Sequence, residues 1–445
     1  MDMNLFRKMY KTQLDFLPID EIRKLQFRKL RETIEYAYAK SKFYKAMFRK
    51  LKIAPKDIKT IEDIQRIPIT TKDDLREKNF DFVTVSRDDW VDCFATSGTT
   101  GKPIYLPCIK EDLKRIANLT AKAFQIAGVK KEDIVQFTLP MGTAMWIAGL
   151  GFWLGNLVNE TCTLRMGPGN IDAQIQNMLL LKPNILLGTP SFLINLGIVA
   201  RKNKYFDEIR PRLLLITAEN ILTSGLKRNL LGKRLIEAWG GVPVRSGFGS
   251  NEMEGVGFEC EAEVGHHIPA EGIFFEIVDP KTYKVLKDGE EGMLVITHLG
   301  VRGLPLIRYA HGDITFKISK KCNCGRTTAR VGPIVGRIDQ QLKIKGVSIY
   351  PSAVENVILN IPEVNQYYLE AYTDENFTDR LRIYFSVAES TLSINRLTIL
   401  IKEKIKSILG INVEVIYEKP EVILQKSMLP GNRKASKFRD LRRRN

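Results

Sequence analysis

Thr96-Ser97-Gly98-Thr99-Thr100-Gly101-Lys102-Pro103 packs two glycines, four hydroxyl side chains and one lysine into eight positions. Glycines at 98 and 101 let a backbone turn tightly and bring successive N–H groups toward one anion. The hydroxyls add hydrogen-bond donors and Lys102 adds charge, so the octamer reads as a loop that grips phosphate. It is not the P-loop of nucleoside triphosphatases, which has four residues between Gly and Gly-Lys and a Ser or Thr after the lysine. Here two residues separate the glycines and Pro103 follows Lys102. The same composition also suits a plain surface turn. What separates the two readings is whether the chain carries the other parts of a nucleotide site.

Four further segments follow in order: Gly247-Phe248-Gly249-Ser250-Asn251-Glu252-Met253-Glu254-Gly255, Arg308-Tyr309-Ala310-His311-Gly312-Asp313-Ile314, residues 336–346 beginning Gly336-Arg337-Ile338-Asp339, and Leu429-Pro430-Gly431-Asn432-Arg433-Lys434-Ala435. With the octamer they resemble, in content and sequence order, the motifs of the adenylate-forming enzymes: acyl-CoA synthetases, luciferases and adenylation domains. The stretch 30–75, with Phe43-Tyr44 and Pro68-Ile69-Thr70-Thr71-Lys72-Asp73-Asp74-Leu75, is similar to phenylacetate–CoA ligases. So are Thr189-Pro190-Ser191, Ala218-Glu219 and Pro305-Leu306-Ile307-Arg308-Tyr309, and this narrower resemblance covers nearly the whole chain.

The resemblance implies roles residue by residue. Thr96, Ser97, Gly98, Thr99, Thr100, Gly101 and Lys102 hold the β- and γ-phosphates of ATP and then the departing pyrophosphate. Phe248, where the family usually has Tyr, lies against adenine, with Gly249 beside it and Ala218 and Glu219 at the adenine edge. Asp313 accepts from the ribose hydroxyls, and Arg337 adds a charged contact to ribose or phosphate. Glu252 helps to hold Mg2+, a hard cation that prefers oxygen. Asn251 stands where the family has Thr or Ser, and it still offers a donor to a phosphate oxygen. Lys434 is the catalytic lysine, and Asp339 is the hinge about which a small domain turns between adenylation and thioester formation. Thr143, Trp146, Thr189 and Thr217 line the acyl pocket. Trp146, Ile147 and Phe152 either make that pocket apolar, which suits an aryl or hydrophobic acid, or are ordinary core.

Read without the resemblance, each of these residues has a plainer meaning. Asp313 after a glycine is a turn residue, Glu252 a surface acid and Phe248 a core aromatic. Lys434 is one more charge in a solvated basic tail that also holds Arg433, Lys437, Arg439 and Arg442.

Composition bounds the class. A chain of 445 residues suggests two to three domains with ample core. No apolar run reaches the ~18–20 residues that span a bilayer, and no signal-peptide core follows Met1, so a cytoplasmic protein without membrane contact is expected. The net charge of +17 fits polyanionic substrates such as ATP and CoA as well as a lysine-rich surface.

The six cysteines do not form the framework of a small secreted domain. Cys322-Asn323-Cys324 with Cys260 and His267 gives three thiolates and one imidazole, a closed tetrahedral donor set for structural Zn2+. His266 is the neighbouring alternative. The segment Gly265-His266-His267-Ile268 matches a zinc-bearing subset of the phenylacetate-ligase-like proteins in a way that favours His267. Without metal, Cys322 and Cys324 are two reduced cysteines in a turn.

The order of elements reads as α/β: a large layered domain over 1–335 and a small α+β domain over 340–445, joined by a hinge. Residues 1–85 form a helical lead-in, in which Ile22, Leu25, Leu30, Ile34 and Ala37 make a stripe behind Asp20 as N-cap. Short apolar runs at 134–139, 185–187 and 213–217 alternate with helices such as 173–181. In the small domain, Ser352-Ala353-Val354-Glu355 reads as a capping box. Residues 367–372 and 381–387 read as strands. Ser393 caps a long helix that ends at Gly410, and 413–417 is a last strand.

The expected activity is an ATP-dependent acid:CoA ligase working through an acyl-AMP, with a small-molecule carboxylic acid, ATP and CoA as partners. A homodimer is left open and nucleic acid is not expected. Two rival readings stay beside it. One keeps adenylation and changes the acceptor to a deazaflavin coenzyme, an amine or a carrier protein. The other is a basic zinc protein that binds nucleic acid, against which the ordered motifs speak.

Overall fold

The structure, a computed structural model, describes residues 14–96, 103–141, 145–344, 347–375, 378–387, 392–428 and 436–442. Internal contacts divide the chain into two compact units. One comprises residues 1–228, 232–311 and 315–333; the other comprises 229–231, 312–314 and 334–445.

The first unit opens with the helices Ile19–Lys40, Lys42–Leu51 and Lys72–Glu77. Ile22, Leu30, Ile34 and Ala37 are buried, as the stripe predicts. The expected N-cap is corrected: Pro18 holds that position without a side-chain bond, and Asp20 lies in the first turn, where its charge faces the positive helix end.

β1 (Asp92–Ala95) and β2 (Tyr105–Cys108) form an antiparallel hairpin with Ala95 opposite Tyr105. The main sheet then builds from β3 (Ile134–Phe137), β4 (Cys162–Arg165), β5 (Ile185–Gly188), β6 (Leu213–Ile216), β7 (Val244–Ser250), β8 (Gly255–Phe258) and β9 (His266–His267). β10 (Ile273–Val278) and β11 (Gly292–His298) pair antiparallel. β12 (Tyr309–Thr315), β13 (Lys317–Ile318) and β14 (Arg330–Val331) follow. The nine-stranded order is β13-β14-β9-β8-β7-β6-β5-β3-β4. Strands β4 to β7 run parallel through β3, and the other end is antiparallel.

β5 and β6 are buried at every position, the continuous apolar run of parallel strands covered on both faces. The helices Lys110–Ala127 and Ile147–Asn159 supply one cover, with Phe124 and Phe152 packed beside Val135, Phe137, Leu187 and Phe258. A Cβ at Gly155 would stand 2.9 Å from the Thr120 Cβ, so glycine there sets how closely these helices approach. Of the two readings of Phe152, the structure bears out core. Its ring centroid lies 5.6 Å from Phe124 and 6.4 Å from Phe137 and from Phe258, which makes it core and not pocket wall.

In the second unit β15 (Gly336–Arg337) pairs with the end of β12, Asp313 opposite Arg337. β16 (Leu342–Ile344) and β17 (Val347–Ile349) form a hairpin. β18 (Val364–Thr373), β19 (Asp379–Val387), β20 (Glu414–Tyr417) and β21 (Phe438–Leu441) make a sheet in the order β20-β19-β18-β21. Val354, Ile358, Leu369, Ile383, Leu397, Ile401 and Ile405 fill its core. The Ser393 side chain caps the helix Ile394–Leu409, and Gly410 ends it at φ +69°. The capping box expected at 352–355 is absent. That helix starts at Pro351 with Tyr350 as N-cap, and the Ser352 hydroxyl donates to the Val335 carbonyl.

The carboxyl-terminal segment is not a solvated tail: β21 lies parallel to β18, with Leu369 opposite Phe438. The Lys437 ammonium stands 5.1 Å from the Tyr367 ring centre, and Arg442 pairs with Asp379 at 3.2 Å. The Ser436 N–H donates to the Ser427 carbonyl at 3.0 Å. Lys434 lies outside the described residues.

In the first unit, Arg308 and Glu276 form a buried pair, with Arg308 Nε and Nη2 at 3.0 and 3.1 Å from the two carboxylate oxygens. Arg308 Nη1 also donates to the Ile67 carbonyl at 2.8 Å, tying the helical lead-in to the sheet region. Removing one partner leaves the other charge buried alone. Arg308→Met is therefore expected to destabilise the protein by about 3–5 kcal/mol in urea unfolding, and Arg308→Met with Glu276→Leu by much less.

Candidate active site

Open α/β sheets bind ligands outside the carboxyl ends of their parallel strands, where the connections diverge. β3 has β4 on one side and β5 on the other, so the divergence falls at β3. The segment ending at Trp146 follows β3, Thr189 follows β5, Thr217-Ala218-Glu219 follows β6, and Asn251-Glu252 follows β7. Four sets of expected site residues thus leave the same end of one sheet.

One side chain joins several of these segments. Asn251 Nδ2 donates to the Ala95 carbonyl at 2.6 Å, and its Oδ1 accepts from the Ile147 N–H at 3.0 Å. The Ala95 N–H donates to the Met145 carbonyl at 2.7 Å. Thr96 closes the octamer's neck: its N–H donates to the Ile104 carbonyl at 3.0 Å, and its Oγ1 accepts from the Ile104 N–H at 3.1 Å. Asn251 therefore fastens the β1–β2 hairpin to the start of the helix Ile147–Asn159, whose N-cap is Trp146, and its second amide hydrogen has no partner among the described residues. Ser97, Gly98, Thr99, Thr100, Gly101, Lys102 and Thr143 lie outside the described residues.

The Thr217 N–H donates to the Gly188 carbonyl at 3.1 Å, which draws the ends of β5 and β6 together beside Thr189. Ala218 is exposed and holds φ +71°, a conformation that L-residues enter at a cost and that clusters at functional sites. The Glu219 carboxylate accepts from the Ser191 N–H and Oγ at 2.9 and 2.8 Å, an anion at the start of the helix Pro190–Lys202. Phe248 is buried, edge-on to His311 at 5.8 Å between centroids. A Cβ at Gly249 would come within 2.5 Å of the Gly255 carbonyl oxygen, so the β7–β8 hairpin needs glycine there.

Glu252 sits in the turn after β7, half-buried. Among the described residues its carboxylate has no hydrogen bond or ion pair, which leaves both oxygens for a cation. Its backbone is fixed from β11: His298 Nε2 lies 2.8 Å from the Glu252 carbonyl oxygen. Burial, then the charge of Arg115, holds the His298 imidazole down to about 3, so the ring is neutral. Arg115 itself donates to the Leu299 carbonyl at 3.0 Å and stands 3.7 Å from Glu254. Both Glu254 carboxyl oxygens are buried without a hydrogen bond, and burial, with Asp112 nearby, pushes that carboxyl up to about 8.

In the second unit, Arg337 Nε stands 3.4 Å from Asp313 and 3.5 Å from Asp339. The expected ribose ligand and the expected hinge acid thus share one guanidinium. Asp313 is buried, and Asp339 lies in the short turn Ile338–Gln340.

The cysteine–histidine set converges. The ligand atoms of Cys260, His267, Cys322 and Cys324 all lie within 4.8 Å of one another. Cys260 and Cys322 sulfurs are 3.6 Å apart, as are the Cys324 sulfur and His267 Nε2. Strand alternation separates the two histidines: His266 packs toward Ser246 and Phe248, and His267 toward the thiols. Burial, then Arg326 and Arg330, pushes His267 down to about 3, so it offers a neutral ligand nitrogen. Burial opposes the Cys324 thiolate, but hydrogen bonds from Arg326 hold that thiol below its ordinary value. The same loop grips the amino-terminal turn: the Thr327 N–H donates to the Asp15 carbonyl at 2.7 Å, and the Arg326 guanidinium covers Phe16 at 5.0 Å.

Sequence reasoning missed His298, Arg115 and the bridging role of Asn251. The signal for His298 was present, since it is a lone polar ring ending the apolar run Leu294-Val295-Ile296, and a buried imidazole needs partners. Asn251→Ala strands the Ala95 carbonyl and the Ile147 N–H. It is expected to lower stability by about 1–3 kcal/mol in urea titration.

Comparison with known proteins fits this geometry. Residues 346–442 match the AMP-binding enzyme C-terminal domain. The chain is 32% identical over 385 residues to a phenylacetate–coenzyme A ligase of Thermus thermophilus, covering 86% of this chain and 85% of that one. It is 29% identical over 431 residues to a phenylacetate–coenzyme A ligase of Pseudomonas putida, covering 93% and 94%. In fold it is similar to a crystal structure of 2-hydroxyisobutyryl-CoA ligase with 2-HIB-AMP, with a TM-score of 0.84 at 24% identity, covering 96% and 91%. The chain belongs to the phenylacetate–coenzyme A ligase family of AMP-forming acid–CoA ligases.

Proposed function

We propose that the protein activates an aryl or similarly hydrophobic carboxylic acid at the carboxyl ends of β3, β5 and β6, with Trp146, Thr189, Thr217 and Thr143 as the pocket. The observation that supports this best is the Asn251 junction, which ties the phosphate-loop neck to the segment that carries Trp146.

In the first half-reaction a carboxylate oxygen attacks the α-phosphorus of ATP and pyrophosphate leaves. Residues 96–102 hold the pyrophosphate portion, Phe248, Gly249, Ala218 and Glu219 take the adenine, and Asp313 and Arg337 take the ribose. Glu252 would hold Mg2+, which when bound would supply neutralising charge near the phosphates. Lys434 offsets the charge that develops at the α-phosphate. Lys437 is the less suitable alternative, because its ammonium covers Tyr367. In the second half-reaction the CoA thiolate attacks the acyl carbon and AMP leaves, with Asp339 as the pivot between the two settings.

Cys260, His267, Cys322 and Cys324 are proposed to hold one structural Zn2+. Four soft or borderline donors without a fifth position make a closed set, which supplies stability and no chemistry. Three reduced thiols also fit a cytoplasmic setting.

Acid-dependent pyrophosphate release, measured over a panel of carboxylic acids with and without CoA, tests the activity. Aryl acids should lead the panel, with AMP release requiring CoA. AMP release that needs an amine or a carrier protein instead would replace the acceptor. Lys434→Ala should lose about 10²–10³-fold or more in pyrophosphate release, yet convert synthetic acyl-AMP and CoA at a rate near wild type. Normal pyrophosphate release by this variant would remove Lys434 from the reaction. Purified protein should carry about one Zn2+ per chain. Cys322→Ser should lower zinc content and thermal stability together and make the chain ahead of Ile19 more open to protease. Metal-free protein of unchanged stability would exclude the zinc site.

A further inference from the structure

Glu252 lies in the turn 251–254, between β7 and β8, where no sheet ladder holds it. Local bonds shape the turn: the Met253 N–H donates to Ser250 Oγ at 3.1 Å and the Glu254 N–H to the Asn251 carbonyl at 3.1 Å. At Glu252 itself the described tie to another element is the carbonyl's bond to His298.

His298 is completely buried at the end of β11. A carbonyl can only accept, so the 2.8 Å contact with Glu252 puts the ring hydrogen on Nε2. The Leu306 N–H can only donate, so its 3.2 Å contact leaves Nδ1 bare. Both nitrogens are thus used, on two backbones. One belongs to the turn that carries Glu252. The other belongs to the segment leading into Arg308 and β12.

We infer that His298 is a positioning residue for the Mg2+–ATP site: its Nε2–H fixes the Glu252 main chain and so aims a carboxylate that has no other partner among the described residues. This rests on Glu252 being a Mg2+ ligand. The resident strand supplies rigidity, since β11 pairs with β10 along its whole length from Ile273–His298 to Val278–Met293. Arg115 braces the same two elements, donating to the Leu299 carbonyl at 3.0 Å and to the Glu254 carbonyl at 3.4 Å. Partners one step behind a metal ligand typically change metal affinity 10–100-fold when lost.

The two nitrogens can be separated by substitution. His298→Gln places an amide donor near Nε2, keeping the Glu252 bond and giving up that to Leu306. His298→Asn keeps an acceptor near Nδ1 and gives up the Glu252 bond. Calorimetric titration of ATP into the full-length variants, with Mg2+ and with EDTA, reads the Mg2+-dependent gain in affinity without turnover. His298→Gln should keep the wild-type gain within a few-fold. His298→Asn should lose about 10–100-fold of it while ATP affinity in EDTA stays unchanged. Glu252→Gln should lose the gain as well.

If Asn and Gln behave alike while Glu252→Gln loses the gain, the positioning role is overturned and the Glu252 assignment stands. If Glu252→Gln keeps the gain, the Glu252 assignment fails, and the inference fails with it. Thermal melts of the Asn and Gln variants show whether each is folded before titration. A variant that does not fold is replaced by His298→Ser, which retains neither bond and should match Asn; a Ser variant with the full gain overturns the proposal.

Discussion

One carboxamide organises the carboxyl end of the parallel strands. Asn251 donates to the hairpin that carries the glycine-rich octamer and accepts from the first turn of the helix beginning at Ile147. Hydrogen bonds within a buried junction of this kind contribute little net energy when made and cost more when one partner is left alone. Their larger effect is geometric. The β1–β2 hairpin is closed by the bonds between Thr96 and Ile104, and Ala95 is held to Met145 and Asn251. The Asn251 amide joins two backbone groups on different elements, one as donor and one as acceptor.

Two other devices work on the same principle, a polar side chain that grips main-chain groups of two elements. His298 links the Glu252 turn to the approach to β12. Arg115 ties the helix Lys110–Ala127 to Leu299 and Glu254. A parallel sheet leaves its loops to find their own shape, and here buried polar side chains rather than extra strands define it. The cysteine–histidine cluster does the equivalent work away from the sheet end. Its loop holds the amino-terminal turn through Thr327 and Arg326.

The α/β layering was legible because β5 and β6 are short unbroken apolar runs between helical patterns. The long helix of the second unit was legible because Ser393 and Gly410 mark its ends. The cysteine–histidine cluster was legible from residue type; the choice of His267 over His266 rested on the likeness of the segment 265–268 to a subset of relatives, and strand alternation turns His267 toward the thiols and His266 away. Other features were not legible. The capping box at 352–355 failed because Pro351 already starts the helix, leaving Ser352 to bond Val335. Phe152 could be read as pocket or core, because sequence proximity to Trp146 does not tell which face of a helix is turned to the core. The basic tail hid a strand, since Phe438 and Leu441, three residues apart among charged neighbours, show no two-residue alternation. The bridging role of Asn251 and the part played by His298 were missed for one reason: their partners are backbone atoms, which carry no sequence signature.

Adenylation of the acid requires that the acid's own oxygen form a bond to the α-phosphorus. Turnover with a carboxylic acid labelled with 18O in both oxygens tests it directly. The account predicts that one labelled oxygen appears in the phosphate of AMP and the other stays in the acyl-CoA carbonyl. Unlabelled AMP, or ADP as the nucleotide product, would contradict it.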